Sequence, residues 1–325
     1  MTSIHRRTAL AAAAAALAAL SGIARGQSYP SRPIRFVVVN PPGGLTDSVA
    51  RSLAPRLQAA LGQPIVIDNK PGANGGVGAS SLAVSPADGY SFLVADGSML
   101  TVNPLMFSKL AFDPVKDFVP VSLLGQAPLF LAVSPKLKVE TLDELIALAR
   151  RKPGALNYGS SGIGSTHHLT MEALKANLGL FIAHIPFKGS SASVPALLGG
   201  EVDMVFSAYP SIAGLVKTGQ LKLLATNSSK RWPQQPDVPA IAEKIPGFDF
   251  APSVILLARA GSPPEAVARM SADIATVARH PEVVDAMRNL GVTVIGGPPA
   301  DLAAALQRET AQMQQVAKRA NLQRE

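Results

Sequence analysis

The chain has 325 residues, 47% of them apolar and only 5% aromatic, with a formal charge of +8. That length allows two ordinary domains, and a core of Leu, Val, Ile and Ala suits a globular α/β protein while excluding a disordered one. There is no cysteine, which excludes disulfides, thiol chemistry and a lipid-bearing cysteine.

Residues 1–26 read as a secretory signal peptide. A basic start at His5, Arg6 and Arg7 precedes an unbroken apolar run from Ala9 to Leu20, and Ala24-Arg25-Gly26 offers small residues at a cleavage site. The run is too short to span a membrane. Export by the Sec route is expected, with Arg6-Arg7 leaving twin-arginine export as the alternative. Removing Arg6, Arg7 and Arg25 lowers the formal charge from +8 to +5. No Lys/Arg run remains, so no nucleic-acid partner is expected.

Strand and helix patterns then alternate. Residues 34–39 read as a buried strand, 46–61 as a helix ended by Gly62, 65–67 as a strand, 72–84 as a Gly-rich turn into a helix, and 90–95 as a strand. This βαβαβ run predicts a largely parallel sheet flanked by helices. Pro55 falls inside the first helix, where its ring opposes the Arg51 carbonyl, and predicts a kink or an early end. A second set begins with a strand at 129–133. Thr141 and Glu144 have capping-box spacing, and Gly154 follows the helix they open. Strands at 156–158, 183–186, 202–206 and 221–226 alternate with helices at 169–178, 191–198 and 211–218. A strand at 253–259, helices at 264–279 and 281–290, a strand at 292–297 and a helix at 299–318 close the chain. The expected division is a first lobe over 27–127, a second over 128–249, and a return over 250–325 that completes the first. Two crossings imply a hinge and a cleft.

Two loops carry the candidate site. "NPPGGLTDS", from Asn40, follows the first strand, where ligands bind in open α/β sheets. Gly43 and Gly44 let backbone approach a ligand, Thr46 or Asp47 suits an N-cap, and the helix start offers unpaired N–H groups to an anion. "GSSGIGSTHH" in the second set is built alike, with Ser160, Ser161, Gly162, Ser165 and Thr166 before a helix. Asp96, ahead of Gly97 and Ser98, is read either as a turn or as a carboxylate in the cleft. Lys188 is read as a surface lysine or an added attraction.

Enzyme motifs fail on spacing. Ser161 has Gly159 before it but Ile163 where a nucleophile elbow needs its second glycine, Ser160 stands where a P-loop needs Lys, and neither Gly162-Ile163-Gly164 nor Gly76-Val77-Gly78 completes a dinucleotide fingerprint. His167 and His168 are adjacent and cannot share a helix face as metal ligands, so no metal and no cofactor is expected.

The segment from Tyr29 through "NPPGGLTDSVARSL" to "DGSMLTVNP" resembles the Bug proteins, the receptor family of tripartite tricarboxylate transporters. So do "NYGSSGIGSTHHL", "PFKGSSASVPALLGGEVDMVF" and "LKLLATNSSKRWPQQPDVPAIAE". The resemblance runs to about Gly297. It implies a two-lobed α/β periplasmic binding protein fold, each lobe a mixed sheet flanked by helices, and a non-enzymatic receptor for a small carboxylate. The carboxylate is then held by main-chain N–H groups, hydroxyls and water, and passed to membrane transporter subunits. A monomer in the periplasm is expected. The resemblance places ligand contacts at Pro42, Gly43, Gly44, Thr46 and Asp47, with Leu45 added between them as a candidate, and at Ser160, Ser161, Gly162, Ser165, Thr166 and His168. Asn40 stands where the family carries an aromatic ring, and Ser207 where many members carry Asp. Asn40, Asp96, Ser98 and Ser207 complete the candidate set. The alternatives are an exported hydrolase using Ser161 or Ser165 with His168, and a solute-dependent sensor partner.

Overall fold

The computed structural model describes residues 29–319; the signal-peptide segment lies outside the described residues. Eleven strands form two mixed sheets among these residues. The first sheet contains β1 (Ile34–Val38), β2 (Ile65–Asn69), β3 (Ser91–Asp96), β4 (Phe118–Gln126), β10 (Ser253–Arg259) and β11 (Thr293–Gly297), in the order β11-β4-β10-β3-β1-β2. β1 pairs in parallel with β2 and β3, whereas β10 runs antiparallel to both β3 and β4. The late strands therefore complete the sheet that the early strands begin. The second sheet contains β5 (Leu129–Val133), β6 (Asn157–Ser160), β7 (Ala183–Pro186), β8 (Met204–Ala208) and β9 (Lys222–Thr226), in the order β7-β6-β8-β5-β9. It repeats the mixture, with β6 parallel to β7 and β8 and β5 antiparallel to β8 and β9.

Both faces of each sheet are covered, which is why the strands read as apolar runs. Along β1, Ile34, Phe36 and Val38 enter one core while Val37 and the following Val39 enter the opposite one. The first core is closed by α1 (Leu45–Leu61) and later by α9 (Pro264–Val277) and α10 (Pro281–Asn289). The opposite core is closed by α2 (Gly76–Ala83) and by α11 (Pro299–Arg319). The second sheet is covered by α5 (Leu142–Arg151) and α6 (Thr166–Leu178) on one face, and by α7 (Ser190–Gly199) and α8 (Tyr209–Lys217) on the other. Two short helices, α3 (Ser98–Thr101) and α4 (Asn103–Met106), follow β3. No helix among the described residues is long and apolar enough to cross a membrane.

Three local readings are corrected. Helix α1 runs unbroken through Pro55 to Leu61 and ends on Gly62, whose φ of 67° is left-handed. Val49, Leu53, Leu57 and Leu61 form an i,i+4 row of buried side chains. Each buried Leu contributes about 1.5–3 kcal/mol, so the row outweighs the roughly 3 kcal/mol cost of an interior proline. Pro55 and Arg51 are both exposed, so the missing bond lies between residues of the solvent-facing side of the helix. At α5, Thr141 caps as expected by accepting the Glu144 N–H (3.2 Å), but the Glu144 carboxylate takes the N–H of Glu140 instead of that of Thr141. Strand β4 is absent from the sequence reading because Pro120 lies within it. Pro120 is tolerated in this interior strand beside a register shift against Leu256 and Leu257 of β10.

Candidate ligand-binding cleft

The first loop leaves the carboxyl end of β1 and enters α1. Gly43 adopts φ 81°, which aims its N–H back at Asp47 Oδ2 (2.8 Å). Gly44, and not Thr46 or Asp47, is the N-cap of α1. It has no side chain with which to cap, and a Cβ there would lie 2.7 Å from the Cβ of Asn40. Asn40 takes over the capping: its Oδ1 accepts the Thr46 N–H (3.2 Å) and the Thr46 hydroxyl (2.7 Å). A backbone N–H only donates, so the Asn40 oxygen is fixed toward the helix.

Asp47 is buried and stitches the loop together. Its Oδ2 also accepts Arg51 Nε (2.9 Å), and its Oδ1 accepts Asn69 Nδ2 (2.9 Å), which in turn bonds the Asn40 carbonyl (2.9 Å). Burial works against the charge of Asp47, but the bonds from Arg51, Asn69 and Gly43 outweigh it and hold the carboxyl below its ordinary value. Thr46 and Asp47 are thus engaged within the loop through their side chains. Pro42 and Gly43 are exposed, and Leu45 is half-buried. Among the described residues the N–H groups of Leu45 and Asp47, in the first turn of α1, have no protein partner.

The second loop leaves β6 and enters α6. Gly162 and Gly164 take φ 125° and 74°. Ser165 caps α6, accepting the His168 N–H (3.2 Å) and donating to the Gly162 carbonyl (2.7 Å). Ser160 is buried, accepts the Gly162 N–H (3.1 Å) and bonds His184 Nε2 (2.7 Å). His168 Nδ1 accepts the Gly164 N–H (3.2 Å). These three side chains shape the loop from behind. Ser161 remains half-buried and bonds Ser190 at the start of α7 (3.1 Å). The first-turn N–H groups of Thr166 and His167 have no partner among the described residues, matching the pair at α1.

Asp96 ends β3 beside β1, so it shares an edge with the α1 N-terminus. Its Oδ1 accepts the Ser98 N–H (2.7 Å) and, from the other lobe, the Thr166 hydroxyl (3.3 Å). A second bridge was not read from the sequence. Asn74 adopts a left-handed conformation (φ 46°, ψ 48°) in the turn before α2. Its Nδ2 donates to Asn103 Oδ1 (2.7 Å) and to the Gly164 carbonyl across the cleft (3.2 Å). The signal was "GANGG", where Asn is the non-glycine residue that best tolerates that backbone. Ser98 is buried beside Asn74, and Ser207 is fully buried on β8 with a hydroxyl that has no partner. Lys188 is exposed.

Behind the second loop the rings of Tyr158, His184 and His168 stack, with centroids 4.8 and 4.1 Å apart. Tyr158 donates to Glu172 (2.6 Å), which pairs with Lys175. Burial pushes both His168 and His184 down to about 4, so the stack is neutral near pH 7. Among the described residues no three His, Asp or Glu side chains gather as a metal site. Nor do Ser161 or Ser165 meet His168 as a nucleophile and base: Ser165 caps the helix, and His168 Nδ1 is engaged by Gly164.

Comparison with known proteins places the fold in a family. The sequence profile of the "Tripartite tricarboxylate transporter family receptor" (TctC) matches residues 49–322. The chain is 37% identical over 286 residues to protein BugT of Bordetella pertussis, covering 87% of this chain and 88% of BugT. Its fold matches Rpa4515 of R. palustris, solved with adipate, at a TM-score of 0.87 and 34% identity, covering 91% of this chain and 100% of that one. MatC of Rhodopseudomonas palustris, solved with bound malate, matches at 0.80 and 30% identity, covering 89% and 99%. Two mixed sheets, their facing loops and the length of these matches converge on one assignment: the chain belongs to the TctC/Bug family of periplasmic solute-binding receptors, which bind and do not catalyse.

Proposed function

We propose that the protein is an extracytoplasmic receptor that captures a small dicarboxylate and presents it to the membrane subunits of a tripartite tricarboxylate-type transporter. The observation that carries this reading is the pair of helix starts, α1 and α6, each with two unpartnered N–H groups. Such groups, with the positive end of a helix dipole behind them, favour a carboxylate without a basic side chain. Adipate and malate in the two structural relatives support a dicarboxylate as the class. In this reading the lobes span 27–127 and 128–249, with 250–325 returning to the first. The ligand touches the amides of Leu45, Asp47, Thr166 and His167 and the hydroxyl of Ser161. Asn40, Thr46, Ser160, Ser165 and His168 hold the loops in shape. Pro42, Gly43, Gly44, Ser98 and Gly162 line the approach. Export into the periplasm through residues 1–26, and a monomeric state, complete the proposal.

Titration calorimetry with C4 to C6 dicarboxylates tests it. At least one acid should bind, and Gly44→Ala, which drives a methyl group into Asn40, should weaken that binding at least tenfold. Absence of heat with every acid, or undiminished affinity in Gly44→Ala, would count against the reading.

A further inference from the structure

Helix α11 begins in one lobe and ends in the other. Leu302 and Ala305 enter a core of the first lobe, Met313 enters the cluster between lobes beside Leu169 of α6, and Val316 enters a core of the second. Glu309 stands midway along it, at a cavity of about 130 Å³. The walls of that cavity are the crossings between lobes, at Gln126 and at Asp249 to Pro252, together with Asp96 and Thr166. These last two residues are the hydrogen-bonded pair that joins the lobes.

The carboxyl group of Glu309 is held against the end of β3. One oxygen accepts a hydrogen bond from the Ser253 hydroxyl, and the Ser253 carbonyl accepts the Gly97 N–H (2.8 Å). The other lies where a Cβ on Gly97 would stand, so the glycine next to Asp96 makes the seat. We propose that Glu309 is a positioning residue that carries a proton when the lobes are closed, and that this proton couples closure of the cleft to pH. A neutral Glu309 can lie beside the Asp96 carboxylate; an ionised one places a second negative charge in the same closed space. Asp96 is the residue that receives Thr166 from the other lobe, so repulsion there acts directly on the lobe contact.

The titratable groups facing Glu309 are Asp96 from β3, whose own carboxyl is also raised by burial against the bonds from Ser98 and Thr166, Asp249 from the crossing segment and Arg308 from its own helix; β4, β10 and α6 present Gln126, Ser253 and Thr166, which do not titrate near neutrality. Burial raises the Glu309 carboxyl to about 7; the Ser253 bond opposes this, the Asp96 charge adds to it, and Arg308 opposes it weakly. When the lobes part, water enters and the group returns toward its ordinary value. The raised value belongs to the closed state, so that state is favoured below pH 7 and loses the advantage as pH rises through it.

The inference rests on the receptor reading only for its ligand arm. In the ligand-free protein, small-angle X-ray scattering should show a larger radius of gyration at pH 8 than at pH 6, and Glu309→Gln should abolish the difference. Calorimetry with malate and adipate should show affinity falling about tenfold from pH 6 to pH 8 in the native protein and less than twofold in Glu309→Gln. Ser253→Ala removes the bond that favours the charged form and should move the midpoint to higher pH, which serves if Glu309→Gln melts early. A pH-independent radius in the native protein, or the same rise in Glu309→Gln, overturns the proposal. If neither acid binds, the dicarboxylate reading fails while the scattering arm still decides this one.

Discussion

Asp47 illustrates how the charge of a side chain can serve the loop that carries it, its carboxylate being occupied within the protein. Its carboxylate is engaged by Gly43, Asn69 and Arg51, three partners from three parts of the chain. Asp47→Asn should cost about 1–3 kcal/mol of stability at pH 7, because charge-assisted bonds are exchanged for weaker ones. The folded carboxyl lies below its ordinary 3.8, so its contribution is complete above that value and is lost as pH falls through the folded one. Urea melts of both proteins should therefore converge below pH 3.8; an undiminished gap would mean that the charge is not the cause. The sequence announced this loop through its glycines, yet not the assignment of tasks within it. Asn40 and not Thr46 caps the helix because Gly44 allows a close approach between positions four apart. That approach follows from φ and ψ, which residue types alone do not specify.

Helix α1 makes a matching point about secondary structure. The strands at 129–133 and 253–259 are legible to the residue and that near 183–186 in place, since short apolar runs bounded by turn residues leave little choice. Pro55 and Pro120 each misdirected the reading, one toward a broken helix and the other away from a strand. In both places tertiary packing overrides the local rule: a row of buried leucines carries α1 past Pro55, and a register shift accommodates Pro120 in β4. Pro55→Ala should restore the N–H that Arg51 lacks and raise stability by about 2 kcal/mol, read as a higher melting temperature. A lower melting temperature would show that the proline is favourable through the unfolded chain.

The two lobes meet through side chains that are far apart in sequence, and there the sequence was least informative. Asn74 with Gly164, Asp96 with Thr166, and Glu309 at the crossings are all juxtapositions made by topology. The same holds for the ring stack, where His184 comes from a different strand than Tyr158. The stacked histidines and the neighbouring His167 predict an acid response. Burial lowers His167, His168 and His184 to about 4 from 6.5, so the unfolded chain takes up protons first as pH falls. Stability is then full above pH 6.5 and declines toward pH 4, by up to about 1.4 kcal/mol per pH unit for each histidine. Urea melts at pH 7, 5.5 and 4.5 should show that decline, and His184→Gln should make it shallower. Equal stability at pH 7 and 4.5 would refute the assignment.

The free donors of the cleft belong to the main chain, at Leu45, Asp47, Thr166 and His167. A main-chain N–H is common to nineteen of the twenty amino acids and is lost only to proline. If these amides hold the ligand as proposed, side chains around them can change without removing the donors. Such a receptor can drift from one carboxylate to another through single substitutions, each intermediate still able to bind something. The glycines that pose these amides are the positions at which change is least permitted.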